Sequence, residues 1–335
     1  MTFVTKNTDI KVILNMTAGI YGDISGKLPE LSHFAIWKLC IGKDKSQWKI
    51  TEKVKQILLQ ATKQPSQEVL LAAWREYAPE HMSDLERRMN ESGVAFTDDT
   101  LMEIAVMDAI LKNPAVPDFK SAYLYWGRKY PNVGFGTKYS EWLASEDPQP
   151  YRSFGNGSAM RVGPIGLVAG TSVKNLYRLV LASCMPTHGH PEAIRGALAV
   201  ATMIWEAESA RPGKRIPKEY FVEIIERDYF YDLQRTCDEI RKDYRFYSTS
   251  KESVSEAIVA FLESTDVQSA IDNAISLGGD ADTMAMMAGN IAQSYYREVP
   301  EYMIKKVHES LPEEMLKILT QFEEKYLKQK LEIVH

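Results

Sequence analysis

The sequence has few cysteines and no long apolar run. Its three cysteines, Cys40, Cys184 and Cys237, lie far apart among 335 residues and form no CxxC pair. This spacing supports neither a disulfide framework nor a thiolate zinc site. No stretch of about 18 uninterrupted apolar residues occurs, so no membrane-spanning helix is predicted. The N-terminus lacks the apolar core and the cleavage site of a signal peptide, which favours a cytoplasmic location.

The chain has no excess of positive charge. Its 40 Lys and Arg residues face 45 Asp and Glu residues, so the formal net charge is -5. Because nucleic-acid-binding domains normally present a basic footprint, a nucleic-acid partner is not favoured. The sequence also lacks flexible or Pro-rich linkers, low-complexity blocks and repeats of fixed period. These absences predict a single domain.

Strand signals are scarce, and helical periodicity dominates the sequence. In residues 191–207 apolar side chains recur at helical spacing, and the proline that opens this stretch suits a first helical turn. Residues 98–111 and 282–296 are almost wholly apolar after polar starts, which is typical of helices inside a bundle. Residues 312–335 indicate an amphipathic helix, whereas residues 131–164, rich in Gly, Pro and aromatics, predict a long loop. The predicted fold is all-α, a compact single-domain helical bundle.

Acidic and hydroxyl side chains open two of these helices: Thr97, Asp98 and Asp99 in one, and Asp280, Asp282 and Thr283 in the other. Adjacent helical residues point about 100° apart, so Asp98 and Asp99 reach in different directions, which suits two neighbouring metal ions. A set of carboxylates and hydroxyls favours hard cations, namely Mg²⁺ or Mn²⁺, with Ca²⁺ as a further option. The alternative is helix capping, because Thr and Asp commonly cap helices and complement the helix dipole.

Three further stretches carry candidate functional residues. "GIYGDISGKLPE" places Asp23 and Glu30 in what its glycines predict to be a turn. "RSFGNGSAMR" is interrupted by glycines, and the backbone amides of such a loop can approach phosphate oxygens closely. Phe154 in this loop offers a surface on which a base can stack, and the alternative is a simple tight turn. His188 and His190 precede a helix with a spacing unlike a zinc motif, so we expect them to cap or to hydrogen-bond.

In their order along the chain, these stretches resemble the ADP-ribosylglycohydrolase family. This family includes dinitrogenase reductase-activating glycohydrolase and the ADP-ribosyl hydrolases of animals. The motifs that carry the resemblance run from residue 21 to residue 283 and are YGDISGKLPE, TDDT, GNGSAMR, TH and GGDADT. One such motif can arise by chance, whereas chance agreement of all five in the family's order is not expected. The resemblance implies a compact all-α fold with a binuclear Mg²⁺ or Mn²⁺ centre in a cleft.

The resemblance also implies roles for particular residues. The implied metal ligands are Thr97, Asp98, Asp99, Asp280, Asp282 and Thr283. The implied loop for the diphosphate and distal ribose consists of Ser153, Phe154, Gly155, Asn156, Gly157 and Ser158. His188 is expected to help hold the ADP-ribose, and Glu30 falls where some family members carry a mobile catalytic glutamate. Since the family core begins near Asn15, residues 1–14 would form an N-terminal extension and residues 15–335 the domain.

The implied reaction is hydrolysis of the N- or O-glycosidic bond at C1 of the terminal ribose, which removes ADP-ribose from a mono-ADP-ribosylated protein or other target. Glu30 is the expected proton donor, Asp280 is expected to activate water, and Asp98 completes the catalytic set. Arginine, serine and nucleobase linkages all remain open. The alternatives are a non-catalytic ADP-ribose-binding module, a metal-dependent phosphoester hydrolase, and an immunity protein that binds an ADP-ribosylating toxin through its N-terminal extension. The filled ligand positions favour an enzyme over the binding module.

Overall fold

The computed structural model describes residues 16–27, 95–210 and 214–326, and in these ranges the fold is all-α. The helices are α1 (17–27), α2 (Asp98–Lys112), α3 (Phe119–Lys129), α4 (Thr137–Ala144), α5 (Gly163–Val168), α6 (Val173–Cys184), α7 (Pro191–Ser209), α8 (Lys218–Tyr229), α9 (Cys237–Asp243), α10 (Ser250–Leu262), α11 (Val267–Leu277), α12 (Ala281–Tyr296), α13 (Glu301–Ser310) and α14 (Glu313–Tyr326). Within the described ranges β-pairing is limited to two isolated bridges, Arg152 with His188 and Gly155 with Thr249. The predicted fold class is confirmed.

Helix α12 forms the centre of the bundle. All of its residues except Tyr295 are buried, and it packs against α7, α10 and α11. The small side chains on α12 allow this close packing, as its sequence predicts. Helix α2 packs against α3 and α14, and its N-terminal half approaches α12. This arrangement places the acidic starts of α2 and α12 side by side.

Helix α1 corrects the prediction of a glycine-punctuated turn around Asp23. Residues 17–27 are helical, and the glycines at 19, 22 and 26 follow the i, i+3, i+7 spacing of one helix face. A Cβ atom at Gly22 would lie 2.4 Å from the carbonyl oxygen of Ala285, and one at Gly26 would lie 2.5 Å from Cα of Asp282. The glycines therefore let α1 lie directly on α12, and this contact brings Asp23 to the start of α2.

The composition of residues 131–164 predicts one long loop, but the structure does not contain one. It contains α4, whose buried Tyr139, Trp142 and Leu143 repeat at helical spacing and pack on the core. It also contains a short 3₁₀ turn, Asn156–Ser158, and the start of α5. Burial of this apolar face outweighs the loop tendency of the surrounding glycines and prolines.

Several predictions fall partly or wholly outside the described residues. Glu30 and the N-terminal extension at 1–14 are outside them. Helix α14 confirms the C-terminal helix as far as Tyr326, and residues 327–335 are outside.

Helix α7 begins at Pro191, in its predicted first-turn position. Among the described helices, none has both the length and the apolar character that a membrane crossing requires.

Candidate active site

The N-termini of α2 and α12 meet in a cleft of about 780 Å³. Its walls come mainly from residues 132–139 and from residues around the 3₁₀ turn, with His188 beside them. All of the predicted metal ligands line this cleft. Residues that are far apart in the sequence are thus brought together at one place.

Asp23 organises the first turn of α2. Its Oδ1 accepts a hydrogen bond from Thr97 Oγ1 at 2.8 Å, and its Oδ2 accepts from the backbone N–H of Thr97 at 3.0 Å. Oδ2 also accepts from the N–H of Thr100 at 3.2 Å and from the Thr100 hydroxyl. Thr97 in turn caps the helix, since its Oγ1 accepts from Asp99 N–H at 3.2 Å. Thr97 is therefore a helix cap, as the alternative interpretation predicts, and it also lines the cleft.

The start of α12 is shaped by two glycines. Gly278 and Gly279 have φ angles of 78° and 73°, a left-handed region that glycine adopts without strain. The turn delivers Asp280, whose carboxylate makes no capping hydrogen bond with α12. Its Oδ2 instead accepts a hydrogen bond from Asn156 Nδ2 at 2.6 Å. Capping therefore does not explain Asp280, and Asn156 holds its side chain toward the cleft.

The carboxylates form a buried cluster that fits a cation. Oxygen atoms of Asp23, Asp99 and Asp282 lie within 4.8 Å of one another. Thr283 Oγ1 donates to Asp99 Oδ1 at 3.2 Å, whereas Asp99 Oδ2 is buried without a hydrogen-bond partner. Burial and the neighbouring carboxylates raise the pKa of Asp99 well above its ordinary value. Crowded oxygen ligands with an orphaned buried oxygen suit a hard divalent ion such as Mg²⁺.

Asp98 differs from Asp99 in its exposure to the cleft. It is partly exposed, and its backbone N–H donates to Val133 O at 3.0 Å, which ties the 132–139 wall to α2. Burial of the carboxylate, together with the charges of Asp23 and Asp280, raises the pKa of Asp98 to about 7. A carboxyl group with a pKa near neutrality, facing a cleft, is typical of functional sites.

The predicted substrate loop divides into two groups. Ser153, Gly155, Asn156, Gly157 and His188 line the cleft, whereas Phe154 and Ser158 do not. The ring of Phe154 is 53% exposed and lies edge-on to His190 at 5.9 Å. Ser158 is buried and donates to Ala193 O at 3.0 Å.

His190 caps α7, because its Nδ1 accepts from Glu192 N–H at 3.1 Å. The capping role expected for this histidine is therefore confirmed.

Sequence reasoning missed the residues that support the site. The sequence patterns mark Asp23 as a candidate functional residue in a predicted turn, and they assign no role to Thr100, Arg161 or Thr187. Arg161 and Thr187 lie within the GNGSAMR and TH motifs, so the motifs marked their neighbourhood. The helical spacing of the glycines around Asp23 was the signal that it lies on a helix.

Comparisons with known proteins agree with this architecture. The ADP-ribosylglycohydrolase family model matches residues 52–331. ADP-ribosylhydrolase ARH3 of Bos taurus is 29% identical over 268 residues, which cover 62% of this chain and 73% of the relative. The Homo sapiens protein of the same name is 28% identical, with 62% of this chain and 72% of the relative covered.

A more distant relative and a solved structure extend the comparison. The putative ADP-ribosyl glycohydrolase L543 of Acanthamoeba polyphaga mimivirus is 24% identical over 63% of this chain and 74% of its own length. A solved chain described as "ADP-ribosylglycohydrolase-related protein complex" superposes with a TM-score of 0.53 at 23% identity, covering 68% of this chain and 81% of that chain. The superposition shows a shared fold, and the family match spans most of the sequence. The chain therefore belongs to the ADP-ribosylglycohydrolase family and is an enzyme that hydrolyses glycosidic bonds of ADP-ribose.

Proposed function

We propose that the enzyme removes a single ADP-ribose from a mono-ADP-ribosylated protein, with two Mg²⁺ ions as cofactors and Mn²⁺ as an alternative. The proposed ligands are Thr97, Asp98, Asp99, Asp280, Asp282 and Thr283. The observation that carries this proposal is the orphaned, buried Oδ2 of Asp99 inside the carboxylate cluster. The similarity to the ADP-ribosylhydrolases ARH3 supports the substrate class.

Held by these six residues, the metal ions would supply Lewis-acid chemistry, which lowers the pKa of a bound water molecule. The side chains contribute orientation and charge. Asn156 holds the Asp280 carboxylate in place as the proposed base. Asp98 faces the cleft, where its negative charge would stabilise the positive charge that develops on the ribose as the bond breaks. Glu30 remains the proposed proton donor to the leaving group.

The substrate would lie along the wall opposite the carboxylates. Gly155 and Gly157 carry no side chain, so the diphosphate can approach the backbone of this loop closely, and Ser153 and His188 flank the loop. We propose that the domain spans residues 15–335. The hydrogen bonds from α2 to Asp23 support an N-terminal boundary well before residue 52, where the family match begins.

The decisive experiment is release of ADP-ribose from defined substrates. Arginine-linked and serine-linked peptides, modified nucleic acid and a poly(ADP-ribose) chain would each be incubated with Mg²⁺, Mn²⁺ or EDTA. We expect metal-dependent release of ADP-ribose from a mono-modified substrate and its loss in Asp280→Ala. Release that persists in EDTA would refute the metal proposal, and release only from the polymer would refute the mono-ADP-ribosyl target.

Asp266→Ala is the matched control for Asp280→Ala. Asp266 is also the N-cap of its helix, α11, where its Oδ1 accepts from Ser269 N–H at 2.7 Å, and it does not line the cleft. Loss of such a cap costs about 1 kcal/mol of stability, so this control should lose stability and keep its hydrolase activity.

The role of Glu30 has its own test. General acid catalysis typically contributes roughly 10²–10⁴-fold, so Glu30→Gln should reduce kcat by a factor in this range. A substrate whose leaving group needs no proton should be cleaved at nearly the wild-type rate by this variant. Near-normal turnover of a peptide substrate by Glu30→Gln would show that Glu30 is not the proton donor.

A further inference from the structure

Beside the cleft, three side chains form a continuous hydrogen-bonded chain. Arg161 Nη2 donates to Thr187 Oγ1 at 3.0 Å and to Ser183 O at 2.9 Å. The same Oγ1 lies 2.8 Å from Nδ1 of His188. Arg161 is 1% exposed, and its guanidinium stacks on the ring of Tyr123 at 4.1 Å. Arg161 and His188 both line the cleft, and the buried Thr187 hydroxyl joins them.

The direction of each hydrogen bond follows from the donors available. A guanidinium can only donate, so Thr187 Oγ1 accepts from Arg161. The Thr187 hydroxyl keeps one hydrogen of its own, and Thr187 is fully buried. In the described part of the chain, Nδ1 of His188 is the one acceptor within hydrogen-bonding distance of that hydroxyl. Because a buried hydroxyl hydrogen is costly to leave unpaired, Thr187 donates and Nδ1 accepts.

The charge around His188 agrees with a neutral ring. Burial and the positive charge of Arg161 hold the pKa of His188 well below its usual range. Tyr151, Arg152 and Cys184 also contact His188: the ring centroid of Tyr151 is 6.4 Å from that of His188, Arg152 forms an isolated β-bridge with it, and the backbone carbonyl of Cys184 accepts from His188 N–H. Residues 148–191, which include the glycine loop and His188, contain no Asp or Glu, and the acidic residues that line the same cleft belong to the starts of α2 and α12. No carboxylate of this segment therefore favours the imidazolium.

The second ring nitrogen faces the glycine loop. A Cβ atom at Gly157 would lie 2.9 Å from Nε2 of His188, and one at Gly155 would lie 3.8 Å from it. Both glycines line the cleft. If Nδ1 accepts and the ring is neutral, the proton is on Nε2, and that proton is directed at the space above this loop.

We propose that Arg161 and Thr187 are positioning residues that hold His188 as the neutral Nε2–H tautomer, so that it donates a hydrogen bond to a substrate oxygen above the Gly155–Gly157 loop. The identity of that oxygen, a phosphate or ribose oxygen of ADP-ribose, rests on the proposed function. The tautomer does not, because it follows from the protein's own hydrogen bonds. A neutral donor also keeps its hydrogen bond over the pH range in which an ordinary histidine changes charge.

The tautomer can be read directly from the ¹⁵N shifts of the His188 ring in the full-length protein, with His188→Gln used to assign the signals. We expect a protonated Nε2 and an unprotonated Nδ1 from pH 5.5 to pH 8. Thr187→Val, which removes the hydroxyl at nearly constant volume, should give a mixture of tautomers, and Thr187→Ser should restore the Nε2–H signal. A wild-type ring protonated at Nδ1, or a Thr187→Val spectrum identical to wild type, would overturn the proposal.

Titration with ADP-ribose in the presence of Mg²⁺ tests the consequence for binding. The wild-type affinity should change little between pH 5.5 and pH 8, whereas Thr187→Val should bind roughly 10-fold more weakly. Thr187→Ser should regain most of that loss. An unchanged affinity in Thr187→Val would refute the positioning role.

If the wild-type protein binds no ADP-ribose but shows the Nε2–H tautomer, the proposed function fails while the tautomer assignment stands. If Thr187→Val does not fold, the wild-type spectrum alone decides the assignment.

Discussion

Asp23 and Asp99 lie in the same carboxylate cluster but differ in their hydrogen bonds. Asp23 accepts from the backbone N–H and the hydroxyl of both Thr97 and Thr100. Asp99 has an oxygen with no partner. A carboxylate saturated by protein donors orients its neighbours, whereas an unsaturated one is available to a cation. We therefore propose that Asp23 supports the site and that Asp99 is a metal ligand.

Asp23→Asn tests this division of roles. The amide nitrogen of asparagine would face backbone and hydroxyl donors, so Thr97 would lose its fixed orientation. Loss of an outer partner of a metal ligand typically weakens metal affinity about 10–100-fold, and we expect a decrease of this size for Mn²⁺ by calorimetry.

The control for Asp23→Asn is Asp108→Asn. Asp108 is a buried carboxylate at the other end of α2, where it accepts from Trp126 Nε1 at 3.0 Å and Lys112 Nζ at 2.8 Å. This variant should lose stability and keep the metal affinity. Equal metal affinities for Asp23→Asn and wild type would show that Asp23 does not position Thr97.

At the scale of elements, a buried polar pair joins α2 to α12 beneath the site. Asn290 Nδ2 donates to Glu103 Oε1 at 2.7 Å, and both side chains are buried. Glu103 Oε2 and Asn290 Oδ1 are buried without partners. Glu103 follows Asp99 by one helical turn and Asn290 follows Thr283 by two turns, so the pair sets the spacing of the two helix starts. Burial and the charge of Asp23 raise the pKa of Glu103 well above its ordinary value, although the Asn290 bond lowers it.

Glu103→Gln should show that the pair contains a protonated glutamate. A carboxyl group with a raised pKa in the folded state loses its stabilising effect as pH rises above its unfolded-state value. Glutamine keeps the shape of the neutral acid and does not titrate. Relative to wild type, the free energy of unfolding of Glu103→Gln should therefore increase between pH 5 and pH 8, by at most about 1.4 kcal/mol per pH unit.

Urea unfolding at several pH values measures this difference, and Asn290→Ala provides a comparison. That variant leaves Glu103 without its donor and should lose about 1–3 kcal/mol. If the free energy of unfolding of Glu103→Gln were lower than that of wild type by the same amount at every pH, Glu103 would be ionised in the folded protein.

At the scale of the whole molecule, proton binding and folding are linked, and the proposed metal binding would be linked to both. Asp98 and Asp99 have raised pKa values in the folded state, so the metal-free fold binds protons that the unfolded chain has released. Its stability therefore falls as pH rises from the ordinary carboxyl range toward about 7, the pKa of Asp98. A divalent cation binds the deprotonated carboxylates and reverses this loss.

We accordingly expect Mg²⁺ to raise the Tm more at pH 8 than at pH 5.5. With free Mg²⁺ at 100 times its Kd, one site contributes about 2.7 kcal/mol to the free energy of unfolding. Thermal unfolding with Mg²⁺ and with EDTA at both pH values measures the effect, and Asp280→Ala should abolish most of it. A larger Mg²⁺ effect at pH 5.5 than at pH 8 would contradict the linkage.

The helical class and the two acidic helix starts follow from the amino-acid sequence alone. Apolar periodicity and helix-start residues are local properties, so α2, α7 and α12 were predictable from neighbouring residues alone. Motif order was sufficient to suggest the family, and the family match confirms it. For Thr97, the sequence allowed both capping and a place in the site, and local patterns did not separate the two.

The contacts that hold the site together depend on tertiary packing and could not be predicted from the sequence. The bonds of Asp23 to α2, of Asn156 to Asp280 and of Glu103 to Asn290 each join residues at least 74 positions apart. The helix at α4 likewise depends on burial of its apolar face against the core. Such contacts depend on how helices pack, and packing is set by the whole chain rather than by any local pattern. The position of the proton on the His188 ring also depends on tertiary contacts, because Arg161 fixes it through Thr187.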